Sequence, residues 1–528
     1  MNRKLILKSL TAAIAMACAG SASAVAVGSF NEASSTQVTL RVGGSTAHDK
    51  GLLNVLALTA TGAQFCVPGT LDVYTNGSSV PGNLTIMMCS SGADSGVGTG
   101  KVIALLRNGN YGSGSGVSHL VKGTTTATDS TGAAVLSQYL DPTNPAVATS
   151  GSTVAAANGL SAYTVHTGVP TSAVITALAD MGITDEEPKL FKDAFLPAIT
   201  GTETAALTVK GISAVIFGVP VTDVLYKRLQ ALQFATDTSC HPSNFGTSGA
   251  NLTEACVPSL SRDTLTAIYT GGIGGLGSIR SANNSTETAA SVAPYGTIAT
   301  NSLFIERRVA TSGTQLASQA YFGSQGCLDG SPSHLTSTTA RVTMHGGSSG
   351  VRNAMVSRNT NGQAAVGVLS TELATTATTG YHFIKVDGYT PTVLNSVKGN
   401  YDFWYESALN YRKVAIGGAA ALAGNQKSVA DKIAVLLGNT ASVKLLNASF
   451  KLDNTLGTDG TSLGRGGLLV NAVGNTGSQA VTPYISTDTA TATNDVNARP
   501  VAKSTRGLGG TPNACLNPSH LGTTQAGN

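Results

Sequence analysis

The sequence predicts an α/β fold, and two observations carry that prediction. Apolar stretches with strand-like spacing recur along the chain, separated by short Gly/Ser/Thr-rich loops from stretches with helical spacing. Hydrophobic residues make up 41% of the 528, enough for a core and for two or three domains of ordinary size. With 62 glycines, one tryptophan and only 11% charged residues, the surface is expected to be loop-rich and of the secreted kind.

Residues 1–24 read as a secretory leader to be cut near Ala24. Arg3, Lys4 and Lys8 form the basic start, Leu10 to Ala19 the apolar middle, and Ala22-Ser23-Ala24 the small-residue cleavage site. The mature chain is therefore expected in the periplasm or outside the cell, and no later apolar run is long enough to span a membrane. Of the formal +4, three charges belong to that leader, leaving about +1. Without a basic run there is no electrostatic footprint for nucleic acid. Six cysteines remain beyond Cys18, an even number that suits disulfides in an exported chain and allows fifteen pairings. Short separations favour Cys66 with Cys89 and Cys240 with Cys256, leaving Cys327 with Cys515 to staple the tail. No Cys or His pattern argues for a metal, and no cofactor is expected.

Taken in order, Gln37 to Val42 alternates as a strand and runs through Gly43-Gly44-Ser45-Thr46-Ala47 into helical spacing over Leu52 to Leu58. The stretch from Cys66 to Cys89 predicts strands with turns at Asn76-Gly77 and Pro81-Gly82. Val102 to Leu106 is a buried-strand pattern ahead of the loop Gly112 to Val117. Residues 122–167 are rich in Thr, Ser, Ala and Gly and read as an irregular insertion. An acidic loop, Ala179 to Pro188, precedes a helix over Lys189 to Phe195. Ile212 to Val221 is a strand and Thr222 to Phe234 a helix. Arg262 to Thr270 is a helix capped by Ser261 and stopped by Gly271. Strands follow at Thr339–Met344, Ala364–Leu369 and Tyr381–Val386, with helices at Val351–Ser357 and Gln426–Leu437. Beyond Leu456 the composition becomes a Gly/Thr/Ser/Asn-rich tail.

The most informative window is Arg307 to Leu316. A short strand, Ser302 to Ile305, leads through Arg307-Arg308 and Thr311-Ser312-Gly313-Thr314 into a helix. The first N–H groups of a helix lack intrahelical partners and carry the positive end of its dipole. Gly313 permits close approach of an oxyanion, Ser312 and Thr314 add donors, and Arg308 can clamp two oxygens at once. Two look-alikes compete with it. Gly272 to Gly277 fits GxGxxG, but a helix precedes it and none follows, so it reads as a turn. Gly346-Gly347-Ser348-Ser349-Gly350 fits GxSxG between a strand and a helix, which would make Ser348 the nucleophile of a secreted esterase or phosphatase with Asp387 and His520 as partners. The alternative there is a helix N-terminus capped by Ser348 or Ser349.

In its motif order the chain resembles the periplasmic phosphate-binding proteins of ABC importers, within the type II solute-binding superfamily. The resemblance covers roughly Val38 to Val414, interrupted by the insertion. Arg308 to Thr314 has the spacing of that family's arginine and Ser-Gly-Thr motif, and Gly43 to Ala47 matches its early Gly-rich loop. Ser113 to Val117 resembles its ligand-serine loop, and Gly182-Ile183-Thr184-Asp185 its Gly-x-Ser-Asp step. Two departures stand out: Ala310 where the family has an aspartate that holds the arginine, and Ala47 where it has an aromatic residue.

The resemblance implies a two-lobed type II periplasmic-binding-protein fold, with hinge strands and an anion in the inter-lobe cleft. One lobe would comprise residues 38–217 and 370–515, the latter including the Gly/Thr/Ser-rich region. The other would comprise 218–369, and 516–528 would be a flexible tail. Ser45, Thr46, Ala47, Ser113 or Ser115, Thr184 and Asp185 would reach the ligand from the first lobe; Arg308, Ser312, Gly313 and Thr314 would do so from the second. Arg308 and the helix end supply affinity for a tetrahedral oxyanion. Asp185, able only to accept a hydrogen bond, would favour protonated phosphate over sulfate. A monomer without catalytic activity, binding inorganic phosphate and served by an ABC permease, is the implied biology. The same fold serving as an extracellular structural or adhesion component is the other reading.

Overall fold

A computed structural model describes residues 27–447, apart from 123–127, 130–133, 245–251, 281–286, 293–300, 324–332, 373–379 and a few isolated positions, together with 467–469. The leader, Cys327, Cys515 and His520 lie outside the described residues. The fold is α/β, built on one large mixed sheet.

In chain order, strand β1 (Gln37–Gly44) leads into helix α1 (Asp49–Ala57). Strands β2 (Leu71–Thr75), β3 (Leu84–Ser90) and β4 (Val102–Asn108) precede α2 (Ser115–Val121). Then come β5 (Gly151–Val154), β6 (Tyr163–His166), β7 (Met181–Thr184) and the 16-residue β8 (Leu207–Thr222). Helices α3 (Asp223–Gln233) and α4 (Arg262–Thr270) are followed by β9 (Leu303–Arg308) and α5 (Gly313–Gly323). Strand β10 (Val342–His345), α6 (Ser348–Thr360), β11 (Ala364–Gly367) and β12 (Tyr381–Val386) complete that region. Strand β13 (Trp404–Arg412) and α7 (Gly424–Gly438) come last.

The main path of the sheet runs β10-β9-β11-β8-β13-β7-β1-β4-β3-β2-β6-β5. Parallel pairs β9–β10 and β9–β11 lie at one end, and parallel pairs β1–β4 and β1–β7 in the other half. Between them, β8 and β13 pair antiparallel from Leu207↔Arg412 to Ile216↔Trp404. At about 3.3 Å per residue a strand as long as β8 reaches about 50 Å, far enough to belong to both halves. Its end pairs with β11 and β12. The expected division after residue 217 falls inside this strand.

The core falls into three clusters. One, around Phe217, Leu265, Phe403 and Val366, fills the half containing β9–β12. The other two cover opposite faces of the β1–β4 half, one under α1 and α7 and one under α2. Strands buried on both faces need continuous apolar runs, and Ile103 to Leu106 is such a run, at most 1% exposed throughout.

Several expectations need correction. The region 122–167 is not irregular throughout: β6 pairs in parallel with β2 and β5 pairs with β6, extending the sheet at its edge. The helix expected over Lys189 to Phe195 is a 3-10 helix at Pro188–Ala194. The tail rejoins the fold at Leu468–Leu469, which pair with β8 at Ala214 and Val215. Helix α6 is capped by Gly347, with neither Ser348 nor Ser349 serving as the cap residue. Ser261 caps α4 by accepting from the Thr264 N–H, and Gly271 closes it at φ 96°. Gly272 to Gly277 is a turn running into a 3-10 helix at Leu276–Ser278, with no α-helix to receive a nucleotide phosphate. Among the described residues no helix is long and apolar enough to cross a membrane.

Cys66–Cys89 and Cys240–Cys256 are disulfides. The former closes a 23-residue separation across buried positions. Replacing both Cys66 and Cys89 by alanine is expected to cost about 3 kcal/mol, mostly by freeing the unfolded chain. Urea melts of the two proteins measure it.

Candidate anion-binding site

The centre of the site is Asp185, at the end of β7 and 4% exposed. Its Oδ1 accepts a hydrogen bond from Ser45 Oγ, and its Oδ2 one from Ser113 Oγ at 2.7 Å. The three come from neighbouring strand ends, since β1 lies between β4 and β7. Loops leaving adjacent parallel strands at the same edge converge above it.

Ser45 is set by a network reaching into the core. Its N–H donates to Ile183 O at 2.7 Å, while its Oγ accepts from Ala47 N at 3.1 Å. Beneath the loop, the fully buried Arg107 at the end of β4 donates to Asp49 Oδ1 at 2.7 Å, to Gly44 O at 2.8 Å and to the carbonyls of Ser45 and Asn108. Gly44, at φ 116°, admits the close pass: a β-carbon there would collide with the Ile183 carbonyl. Thr46 is half-buried, with its methyl over Gly109, and Ala47 packs into the core cluster of the opposite half.

From that opposite half, α5 points its N-terminus at Asp185. A β-carbon on Gly313 would strike Ser113 Oγ and lie 2.6 Å from an Asp185 oxygen, so only glycine fits. Gly114 N donates to Thr311 O at 2.8 Å, joining the two loops directly. Ser312 is buried; its backbone faces Gly112, and its carbonyl accepts from Leu316 N to begin the helix. Thr314, also buried, lines a narrow space with Arg307, Arg308 and His334.

Arg308 is 4% exposed. Nη1 donates to Ser348 Oγ at 2.6 Å and Nη2 to Gly346 O at 2.9 Å; Nε is buried without a partner. No carboxylate among the described residues pairs with it directly. Burial lowers its pKa to about 10, against the fields of Asp185 and Glu372, so it keeps its charge at neutral pH. The neighbouring acids carry less charge than their number suggests. Burial, reinforced by Asp185 and Glu187, pushes Glu186 well above the usual carboxylate range, and neither of its oxygens has a partner. Burial also raises Glu372 to about 7, with Asp185 adding to the shift and Ser370 and Lys50 opposing it.

The structure therefore brings Ser45, Ser113, Asp185 and Gly313 into contact and holds Arg308 beside the Gly112 loop. Two expected positions turn elsewhere. Thr184 Oγ1 accepts from Asn410 Nδ2 at 3.1 Å in β13, and Ser115 Oγ donates to Gly112 O at 2.8 Å to lock its own turn. Sequence reasoning missed the role of Ser348 and Gly346 as the cradle of Arg308, although it singled out their Gly-rich loop for other chemistry. For Arg107, Glu186 and Glu372 no local pattern gave a signal. Nor do the described partners of a Ser348 nucleophile assemble. Ser348 faces an arginine, Asp387 Oδ1 accepts from Arg262 N at 2.9 Å, and nearby His345 turns Nε2 to Glu306 at 2.7 Å.

Two outcomes follow from the buried network. Arg107→Met strands the Asp49 carboxylate and should cost about 3–5 kcal/mol, much of it recovered by adding Asp49→Leu; chemical denaturation of the three variants checks this. His48 is fully buried with both ring nitrogens unpartnered; burial, opposed by Asp185 and aided by Arg107, lowers it to about 4. Between pH 6.5 and 4 the unfolded chain binds a proton that the folded imidazole refuses. Stability therefore falls as pH drops through that window, by up to about 1.4 kcal/mol per unit, and His48→Gln should flatten the slope in urea melts.

No family model and no curated protein sequence matches the chain. Solved structures do overlap with it. One, described as a phosphate ABC transporter substrate-binding protein with bound phosphate from Clostridium perfringens, covers 78% of this chain and 98% of its own at 12% identity and a TM-score of 0.38. An ABC-type phosphate transport receptor from Vibrio cholerae covers 54% and 86%, at 16% identity and a TM-score of 0.30. PstS from Borrelia burgdorferi covers 56% and 88%, at 9% identity and a TM-score of 0.27.

Proposed function

We propose that the chain is an exported solute-binding protein that takes phosphate or a related tetrahedral oxyanion between its two halves and hands it to an ABC permease for uptake. The observation that carries this reading is Arg308. A buried guanidinium costs several kcal/mol unless an anion compensates it, and this one has hydrogen bonds only to neutral oxygens and one idle N–H. An arriving oxyanion supplies the missing charge.

The surroundings support the same reading. Gly313 opens α5, so unpaired backbone donors and the positive dipole end face Ser113 and Asp185. Burial holds Glu186 and Glu372 above the usual carboxylate range, which reduces the repulsion an anion meets. Asp185 has lone pairs left beyond its two serine bonds and can accept a hydrogen bond from the P–OH of hydrogen phosphate, a donor that sulfate lacks. Ser348 Oγ accepts from Arg308, an arrangement that supports binding over the hydrolase reading.

Titration calorimetry on the mature protein should show phosphate binding and at least a hundredfold weaker sulfate binding. Arg308→Ala should weaken phosphate a hundredfold or more, while Asp185→Asn should narrow the gap between the two anions. Absence of phosphate heat, or equal binding of both anions, overturns the reading.

A further inference from the structure

A second buried arginine stands next to Arg308 on β9. Successive residues of a strand point to opposite faces, so Arg307 turns away from the Ser348 loop and toward α5. It is 7% exposed, and its guanidinium meets only neutral carbonyls. Nε donates to Arg308 O at 3.3 Å, and Nη1 donates to His334 O at 3.5 Å and to Leu335 O. No carboxylate among the described residues pairs with it. Burial lowers its pKa to about 10, so the charge persists at neutral pH. A small cavity of about 10 Å3 lies against it, lined also by Thr314, Gln315, Ser318 and His334. Thr314 and Ser318 are one turn apart on α5, 4% and 2% exposed. Neither hydroxyl has a hydrogen-bond partner among the described residues.

We propose that this cavity is a structural halide site, holding one chloride between the Arg307 guanidinium and the hydroxyls of Thr314 and Ser318. The site is separate from the oxyanion site and does not depend on it. Size selects a monatomic ion: a cavity this small has room for about one water-sized particle, which excludes phosphate and sulfate. Charge selects an anion over water. A water would satisfy the hydroxyls and leave the guanidinium uncompensated, and a buried charge is tolerated only when paired. The other ionisable groups on the lining do not supply that pairing. Glu306 is committed to Arg358 Nε and His345 Nε2, each at 2.7 Å. His334 is held neutral, its pKa lowered to about 3 by burial and then by Arg307, while its Nδ1 meets Gln315 Nε2 at 3.4 Å. Arg308 also lines the cavity, so the net charge around it is positive. Guanidinium N–H groups have no lone pair to offer and the two hydroxyls are free to donate, which suits a bare anion.

Two measurements on the mature protein test this. Crystals grown in bromide should show an anomalous peak in the cavity, within hydrogen-bond distance of Arg307, Thr314 and Ser318. Urea melts at constant ionic strength should show chloride stabilising the fold relative to gluconate. One site at ten times its Kd multiplies the folded-to-unfolded ratio by about tenfold. Arg307→Met removes the charge, whereas Ser318→Leu fills the cavity and leaves every charge in place. Each should abolish the chloride effect, and either one suffices if the other fails to fold. A bromide peak found only beside Ser113 and Asp185, or no peak at all, overturns the proposal. So does stability indifferent to chloride in the wild type, or a chloride effect that survives either substitution. None of these outcomes turns on whether phosphate binds, so the proposal and the oxyanion reading stand or fall separately.

Discussion

The site depends on one buried cation, Arg107. Standing at the end of β4 with no exposed surface, it gathers the Asp49 carboxylate and the carbonyls of Gly44, Ser45 and Asn108 into one cluster. These acceptors belong to the end of β1, the first turn of α1 and its own strand, so a single guanidinium fixes how the chain leaves the sheet there. Ser45 is placed by that constraint, and through Ser45 so is one oxygen of Asp185. A charge in such a position is tolerated only when fully paired, which makes the geometry all-or-none.

Arg308 is the counterpart, treated in the opposite way. Both guanidinium groups are buried at loops leaving strand ends, yet Arg107 has an internal carboxylate and Arg308 has a hydroxyl and a carbonyl. The first pairs its charge internally; the second meets only neutral oxygens. Ala310 belongs to this difference, since the residue two positions past the arginine has no charge to give back.

Much of this was legible in the sequence where local chemistry and fold agree. Strand, small-residue loop and helix follow one another at both Gln37–Ala57 and Leu303–Gly323, and the short cysteine separations gave both bridges among the described residues. What stayed hidden has physical causes. All four residues of β5 are exposed, so that strand shows no apolar alternation at all. Strand β13 is buried on both faces yet includes Asn410 and Arg412 among its buried residues, so no continuous apolar run marks it in the sequence. Thr184 and Asp185 are consecutive and their side chains diverge, one to β13 and one to the loops, a distinction that motif spacing does not encode. Contacts between distant segments, such as Arg308 with Ser348, leave no trace in local pattern.

The position of Ala47 has a thermodynamic consequence. It stands on the first loop of one half, yet its side chain is counted in the apolar core of the other, while Leu316 of α5 packs in the reverse direction. Any separation of the halves transfers both methyl-bearing surfaces to water along with the polar site. Coming together must therefore lower the heat capacity and carry an enthalpy that changes with temperature. The interface between the halves behaves in miniature like a folding reaction, with solvent release contributing alongside electrostatics.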